Sequence, residues 1–382
     1  MAERDTTTVD PHRAVSSASG VCVGVLGGGQ LARMLAIAGA PIGVRVVQLT
    51  PDPDARDDVA ATIRGDYTDI DALNELAARA QVVTYETENV PPAAVQHLHR
   101  RVQLLPPPPA LVLAADRWAE KELFTRLGIP SAAHARIVVQ DDLGAALHAI
   151  GLPAVVKTRH LGYDGKGQTV CRTEEELLAA WHRLGAVPLL CERYIPFERE
   201  ISIIAVRSAD GEVRCYSPSE NVHEKGILRA TLAPAPDLSP ALRETAASYV
   251  QRILEDLDYT GVLALELFQH DDTLLANEIA PRVHNTGHWT IEGADISQFE
   301  NHLRAVLGWP LGSTANRGHS VMVNLIGDTP PMIELLAVSG AHVHMYGKRP
   351  RPGRKLGHVS IAASSDADAR EKLTALRRLE RG

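Results

Sequence analysis

Residues 274–290 read LLANEIAPRVHNTGHWT. The stretch starts as an apolar strand and delivers a carboxylate at Glu278. Arg282, His284, Asn285 and His288 follow within ten residues. Acid, guanidinium, imidazole and amide at that density must be hydrogen-bonded, ion-paired or occupied by a ligand, because burying them unpaired is costly. The segment before it, GVLALELF at 261–268, is also strand-like, with Glu266 at its middle, and QHDDT at 269–273 reads as a short polar turn. A hairpin centred on Asp272 sets Glu266 opposite Glu278 on one face. Like charges directly opposite destabilise a sheet, and the usual escapes are a shared proton or a cation between them. Hard divalent cations prefer carboxylate oxygen, so the pair reads as a Mg2+ site; two solvent-facing glutamates are the alternative. His284 and His288 have the i, i+4 spacing of zinc helices, but Gly287 lies between them and no glutamate takes the second position, so zinc is discounted.

Working outward, strands are expected at 21–26, 44–49, 81–85 and 102–105, with helices from the glycine turn to about residue 40 and at 70–79. That alternation predicts a parallel α/β sheet, ended by the proline run 106–109. Asp116 is a good N-cap for a helix over 117–127. Strands at 153–157 and 169–172 flank a glycine loop, and Thr173 with Glu176 forms a capping-box pattern. Further strands are expected at 189–194, 200–207 and 212–216, the last after an Asp210-Gly211 turn. A helix over 240–257 leads into the hairpin. From about Gly318 come short strands at 320–325, 341–345 and 357–362, then a helix from about Asp366.

The chain of 382 residues is long enough for two or three domains with real cores. A net charge of −8 with no basic stripe, and only 4% aromatics, speak against a nucleic-acid surface. No apolar run reaches the length of a membrane span. Residues 1–20 are polar and small, which reads as a flexible tail rather than a signal peptide. Cys22, Cys171, Cys191 and Cys215 are far apart, as expected of reduced thiols in a cytoplasmic protein.

Three further motifs carry charge chemistry. LGGGQLAR at 26–33 joins a strand to a helix, and Gly27, Gly29 and Ala32 fit G-x-G-x-x-G/A. The acidic ribose partner is missing from the second strand, with Asp52 only a rough substitute. Backbone N–H groups approaching a phosphate at the helix N-terminus are therefore the better reading, against a plain tight turn. GYDGKGQ at 162–168, with Lys157 closing the strand before it, suits a lid over phosphates or a hairpin loop made of glycine for its geometry alone. The run RPRPGRKLGH at 349–358, preceded by Lys348, is a basic loop stiffened for an anion, or else a solvated one.

GGGQLARM, GYDGKGQ, ENVHEKGILR, NEIAPRVHNTGHWTIEGADISQFENHLRA and RPGRKLGH together resemble the motif set of the N5-carboxyaminoimidazole ribonucleotide synthetase family of the ATP-grasp superfamily, in order from about Val21 to Ile361. The resemblance implies an α/β and α+β fold. A flexible tail at 1–20 precedes a Rossmann-like (biotin-carboxylase-like) domain at 21–115 and an ATP-grasp domain at 116–317 with its lid at about 150–207. A small β-rich domain at 318–382 completes the chain. It implies an ATP-dependent ligase of purine biosynthesis that makes carboxyphosphate from bicarbonate and transfers the carboxyl to 5-aminoimidazole ribonucleotide. A formate-using transformylase of the same superfamily and a non-catalytic nucleotide-binding regulator are the rivals. By the resemblance, Arg117, Lys157, the loop Gly162, Tyr163, Asp164, Gly165, Lys166, Gly167 and Gln168, then Glu192, Arg193, Tyr194, Ile195, Glu200, His223, Asn277 and Glu278 line the ATP pocket. Glu266 and Glu278 hold Mg2+, or Mn2+ in its place, and Arg282, His284 and Asn285 cradle bicarbonate or carboxyphosphate. Asp164 and Lys166 join that catalytic set, with Tyr163 beside them toward the imidazole nucleotide. Lys348, Arg351, Arg354 and Lys355 meet its phosphate, helped by the backbone of Gly29, Gln30 and Leu31. Glu86 or Glu88 is assigned to the ribose. A homodimer without nucleic-acid or membrane partners is expected.

Overall fold

The computed structural model describes residues 20–161 and 167–379. The tail, apart from Gly20, and the loop residues Gly162, Tyr163, Asp164, Gly165 and Lys166 lie outside the described residues.

Strands that are apolar along their whole length are buried on both faces, which favours a parallel sheet. Cys22–Leu26 is buried throughout and pairs in parallel with Arg45–Thr50 on one side and Val82–Tyr85 on the other. Ala61–Arg64 and Gln103–Leu104 complete this sheet of five strands. The proline run does not end the unit as expected. Pro108 instead opens a helix, Pro108–Ala114. Its fixed φ suits the first helical turn, where a missing N–H costs nothing.

A second, antiparallel sheet of four strands runs in the order His134–Ile137, Leu189–Arg193, Ala154–Thr158, Gln168–Cys171. Helices Asp142–Ile150 and Glu174–Arg183 pack on it, the second placing Leu177 and Trp181 in one core with Ile137 and Val156 of the sheet. Thr173 caps the second helix by accepting from the Glu176 N–H at 3.2 Å. The Glu176 carboxylate reaches back to the N–H of Arg172, one residue past the cap N–H that a full capping box uses.

The third sheet has nine strands and forms the body of the molecule. Arg199–Arg207, expected within the lid, lies inside this sheet instead. Residues 201–206 are all buried, with Ile204 and Val206 in one core and Ile201, Ile203 and Ala205 in another, so the strand is covered on both faces. The C-terminal strands also join this sheet rather than making one of their own. His319–Ile326 pairs with Ile227–Ala233, and Lys355–Ala363 and Ala341–Met345 follow. Without that extension Ile227–Ala233 would present an open edge.

Strand Gly261–His270 separates two cores. Val262 and Ala264 face one with Leu35, Phe299 and Leu303. Leu263, Leu265 and Leu267 face the other, with Phe124 of helix Arg117–Arg126 and with Val250 and Leu254 of helix Pro240–Asp256.

Candidate active site

The site is built at one irregularity in the hairpin. The turn is not centred on Asp272. His270 pairs with Thr273, so Asp271 and Asp272 form a two-residue turn, with Asp271 at φ 51°. Positive φ in such a turn matches the twist of the flanking strands. From that turn a regular ladder would put Asn277 opposite Glu266 and drive Glu278 into the apolar face beside Leu265. A bulge prevents this: Leu267 pairs with Ala276, but Glu266 pairs with Glu278, leaving Asn277 as the extra residue. Leu274, Ala276 and Ile279 all stay in the apolar core, although their numbering changes parity at the bulge. Asn277 and Glu278 both line the cavity that Glu266 faces.

That cavity is about 570 Å3 and lies between the small sheet, the nine-stranded sheet and the N-terminal domain. Arg117, Lys157, Gln168, Glu192, Arg193, Tyr194, Ile195, Glu200 and His223 line it, as do Glu266, Asn277, Glu278, Arg282, His284, Asn285, Gln30, Leu31 and Lys355. Its apolar wall includes Val155, Val170 and Phe268, and Phe268 stacks on Phe197 at 4.4 Å between centroids.

Electrostatics divide the cavity. Burial, and then the charge of Glu278, push the Glu266 carboxyl above the ordinary carboxylate range. Glu192 is the opposite case. Burial works against its charge, but Lys121 at 2.7 Å and Lys157 at 2.6 Å outweigh it and hold the carboxyl at about 2. Glu192 is thus held by two lysines rather than open to a ribose. His223 pairs with Glu200, which raises the imidazole above its ordinary value despite burial.

At the far end, Arg282 donates from Nε to Glu88 Oε2 at 2.8 Å. His284 Nε2 lies 3.5 Å from Glu266 Oε1, and burial followed by the charge of Arg282 keeps its imidazole neutral. Gln298 pins the His284 backbone from both sides, accepting from its N–H at 2.9 Å and donating to its carbonyl at 2.6 Å. Asn285 is 7% exposed, yet neither polar atom of its side chain has a protein partner. His288 lies behind the cavity, fully buried and stacked on His358 at 4.2 Å.

The proposed phosphate end differs from expectation. The glycine turn already holds an anion: the Glu86 carboxylate accepts from the N–H groups of Gly29 and Ala32. A Cβ at Gly27 would sit 2.2 Å from Glu86 Cγ, so glycine here makes room for Glu86. The carboxylate satisfies the helix N-terminus, and Glu86 is not free for a ribose in this arrangement. Lys348 donates to the Gln30 side chain, outside the main cavity. Arg354 pairs with Asp54 at 3.4 Å and Asp52 at 3.6 Å, which also removes Asp52 as a ribose acid. Arg351 is exposed and lines no part of the cavity. Lys355 alone of the basic loop lines it.

Residues 21–115 match the ribonucleotide synthetase preATP-grasp domain, residues 122–299 the ATP-grasp domain, and residues 320–372 the phosphoribosylaminoimidazole carboxylase C-terminal domain. The N5-carboxyaminoimidazole ribonucleotide synthase of Pseudomonas aeruginosa is 49% identical over 352 residues, covering 92% of this chain and 97% of that protein. The chain belongs to the N5-carboxyaminoimidazole ribonucleotide synthase family. The crystal structure of the synthetase from Thermus thermophilus superposes with a TM-score of 0.90 at 51% identity, covering 94% of this chain and 98% of that one. The Aspergillus clavatus synthase in complex with ADP and 5-aminoimidazole ribonucleotide gives 0.86 at 31% identity, covering 95% and 99%. The fold is that of an ATP-grasp enzyme with a preATP-grasp domain before it and the family's C-terminal domain after it.

Two buried side chains of this family member escape a reading of the sequence. Glu120 and Lys121 are adjacent on helix Arg117–Arg126, and each is 2% exposed. Glu120 accepts from the Ile279 N–H, and burial, then the charge of Glu278, push its carboxyl up to about 8. The signal available was a run of three charges, Glu120-Lys121-Glu122, which is also what a solvated helix face looks like. No helix among the described residues is long and apolar enough to cross a membrane.

Proposed function

We infer that this chain joins bicarbonate to the amine of 5-aminoimidazole ribonucleotide with hydrolysis of ATP, giving N5-carboxyaminoimidazole ribonucleotide, ADP and phosphate. It is an ATP-dependent ligase of purine biosynthesis. What carries the assignment of roles is the cavity itself, which gathers a like-charged carboxylate pair, a buried lysine and an unpartnered amide within about 570 Å3. The apolar wall of Val155, Val170 and Phe268 suits a flat base, and Arg117, Lys157 and Gln168 suit the phosphates that follow.

Glu266 and Glu278 fit a hard cation, since each otherwise faces a like charge across the strand pair. Among the described residues, no group of three His, Cys, Asp or Glu could hold an ion alone. The pair therefore suits Mg2+, which commonly takes one or two carboxylates together with substrate phosphates. When bound, it would neutralise phosphate charge. Arg282, His284 and Asn285 are assigned to the bicarbonate and carboxyphosphate. Arg282 offers charge, a neutral His284 whose Nδ1 accepts from the Thr286 N–H can donate a hydrogen bond from Nε2, and the Asn285 amide supplies a bond that nothing in the protein uses. Lys355 is assigned to the imidazole nucleotide. Asp164, Lys166 and Tyr163 retain the roles that the family resemblance gives them. That resemblance also supports a cytoplasmic homodimer.

A coupled assay of ADP release tests the reading. Release must require both bicarbonate and 5-aminoimidazole ribonucleotide. ADP release that persists without the amine, or that formate supports equally well, overturns it.

A further inference from the structure

Lys121 is buried to 2% exposure, and a lysine in that position must be paired. Its ammonium donates to the carbonyl of Asn277 at 2.7 Å and lies 2.7 Å from Glu192 Oε1. The other oxygen of Glu192 is 2.6 Å from Lys157, and Lys157 lies 3.3 Å from the Asn277 side-chain oxygen. The contacts close a ring of four residues: Lys121, Glu192, Lys157 and Asn277. Two members come from the small sheet, one from the bulge of the nine-stranded sheet, and Lys121 from a helix. Two cations thus serve one carboxylate, although one would suffice to pair it. The excess has a physical use. A lysine that leaves a buried carboxylate for a phosphate strands that charge unless a second cation stays behind.

We propose that Lys121 is a positioning residue for nucleotide binding, holding both the Glu192 carboxylate and the bulge carbonyl of Asn277 so that Lys157 can turn from them to the phosphates. This rests on the assignment of Lys157 to the nucleotide made above. Lys121 touches no reacting atom. It acts through Glu192 and Asn277, and it keeps the Asn277 backbone fixed while the side-chain contact to Lys157 is broken.

Two arms test this. The first is thermal unfolding of Lys157→Met without nucleotide, which imitates the departure of Lys157. With Lys121 still holding Glu192, the melting temperature stays within about 3 °C of wild type. A large fall overturns the proposal, and this arm does not depend on activity. The second arm is steady-state kinetics of Lys121→Met, alone and with Glu192→Gln. The single variant leaves Glu192 dependent on Lys157, so KM for ATP rises roughly 10-fold or more while KM for 5-aminoimidazole ribonucleotide stays within about 2-fold. With the Glu192 charge removed, adding Lys121→Met changes KM for ATP little beyond Glu192→Gln. An unchanged KM for ATP in the single variant, or an equal rise in both backgrounds, overturns the proposal. If Lys121→Met does not fold, the Lys157→Met arm decides. Wild-type enzyme lacking substrate-dependent ADP release would instead overturn the functional reading and leave the stability arm standing.

Discussion

Glu278 faces Glu266 across the strand pair, and its charge adds to burial in raising the cost of ionising Glu266. Glu278→Gln removes that repulsion while keeping shape. In buffer without divalent ions we expect its melting temperature to match or exceed wild type by roughly 1–3 °C, while turnover falls by about 10^3 or more. Near-normal turnover would remove the metal assignment. Lys355→Ala tests the opposite end of the cavity. KM for 5-aminoimidazole ribonucleotide should rise about 10-fold with KM for ATP unchanged, and equal effects on both would contradict its placement. At this scale, acids and bases clustered after a strand were legible, because apolar strands rarely end in such a run without cause. Glu86 was not legible as a helix cap, because its partner Gly29 is 57 residues away in the chain. Lys121 and Glu120 were hidden for a different reason. A charge in a helix reads as solvated until the strand whose backbone it serves is in view.

The hairpin shows how a right expectation can have the wrong cause. Glu266 and Glu278 are register partners, as a turn centred on Asp272 would make them, but the turn uses Asp271 and Asp272 and the bulge at Asn277 makes up the difference. Turn type and bulge cannot be separated in the sequence, since only their sum sets the register. Deleting Asn277 separates them. The shortened strand keeps Ala276 opposite Leu267 and Glu278 opposite Glu266, so the apolar face survives. What is lost is the carbonyl that Lys121 binds, the side chain near Lys157, and the spacing between the Ala276 N–H, bonded to Pro130, and the Ile279 N–H, bonded to Glu120. The deletion should therefore fold with a melting temperature lower by roughly 5 °C and lose at least about 10^2 in turnover. Full activity would mean that the bulge serves only packing. The membership of Arg199–Arg207 and of the C-terminal strands in one large sheet was illegible for a related reason. Strand character is local, whereas the partner of each strand is chosen by which edges remain open.

Across the whole molecule, His302 ties the N-terminal sheet to the central one. Its Nδ1 accepts from the Val262 N–H at 3.1 Å, which leaves the proton on Nε2 to donate to Thr84 Oγ1 at 2.8 Å. Both bonds require the neutral ring, because a proton on Nδ1 would face another N–H. Burial holds the imidazole down at about 3. His288 is also held at about 3, by burial and then by His344 and the nearby lysines. The unfolded chain protonates both near the ordinary value of about 6.5, so between pH 6.5 and 3 it binds more protons than the folded protein. Stability from these groups is complete above pH 6.5 and drains away as pH falls toward 3. Each contributes a slope of up to about 1.4 kcal/mol per pH unit in that window. His302→Gln keeps an acceptor and a donor but cannot titrate. It should be less stable than wild type at pH 7.5 by about 1–2 kcal/mol, from poorer geometry in a full core. Between pH 6 and pH 4 its loss of stability with acid should be shallower by about one proton. Urea unfolding at a series of pH values measures both. Parallel curves for variant and wild type would show that His302 is not the neutral link between the two sheets.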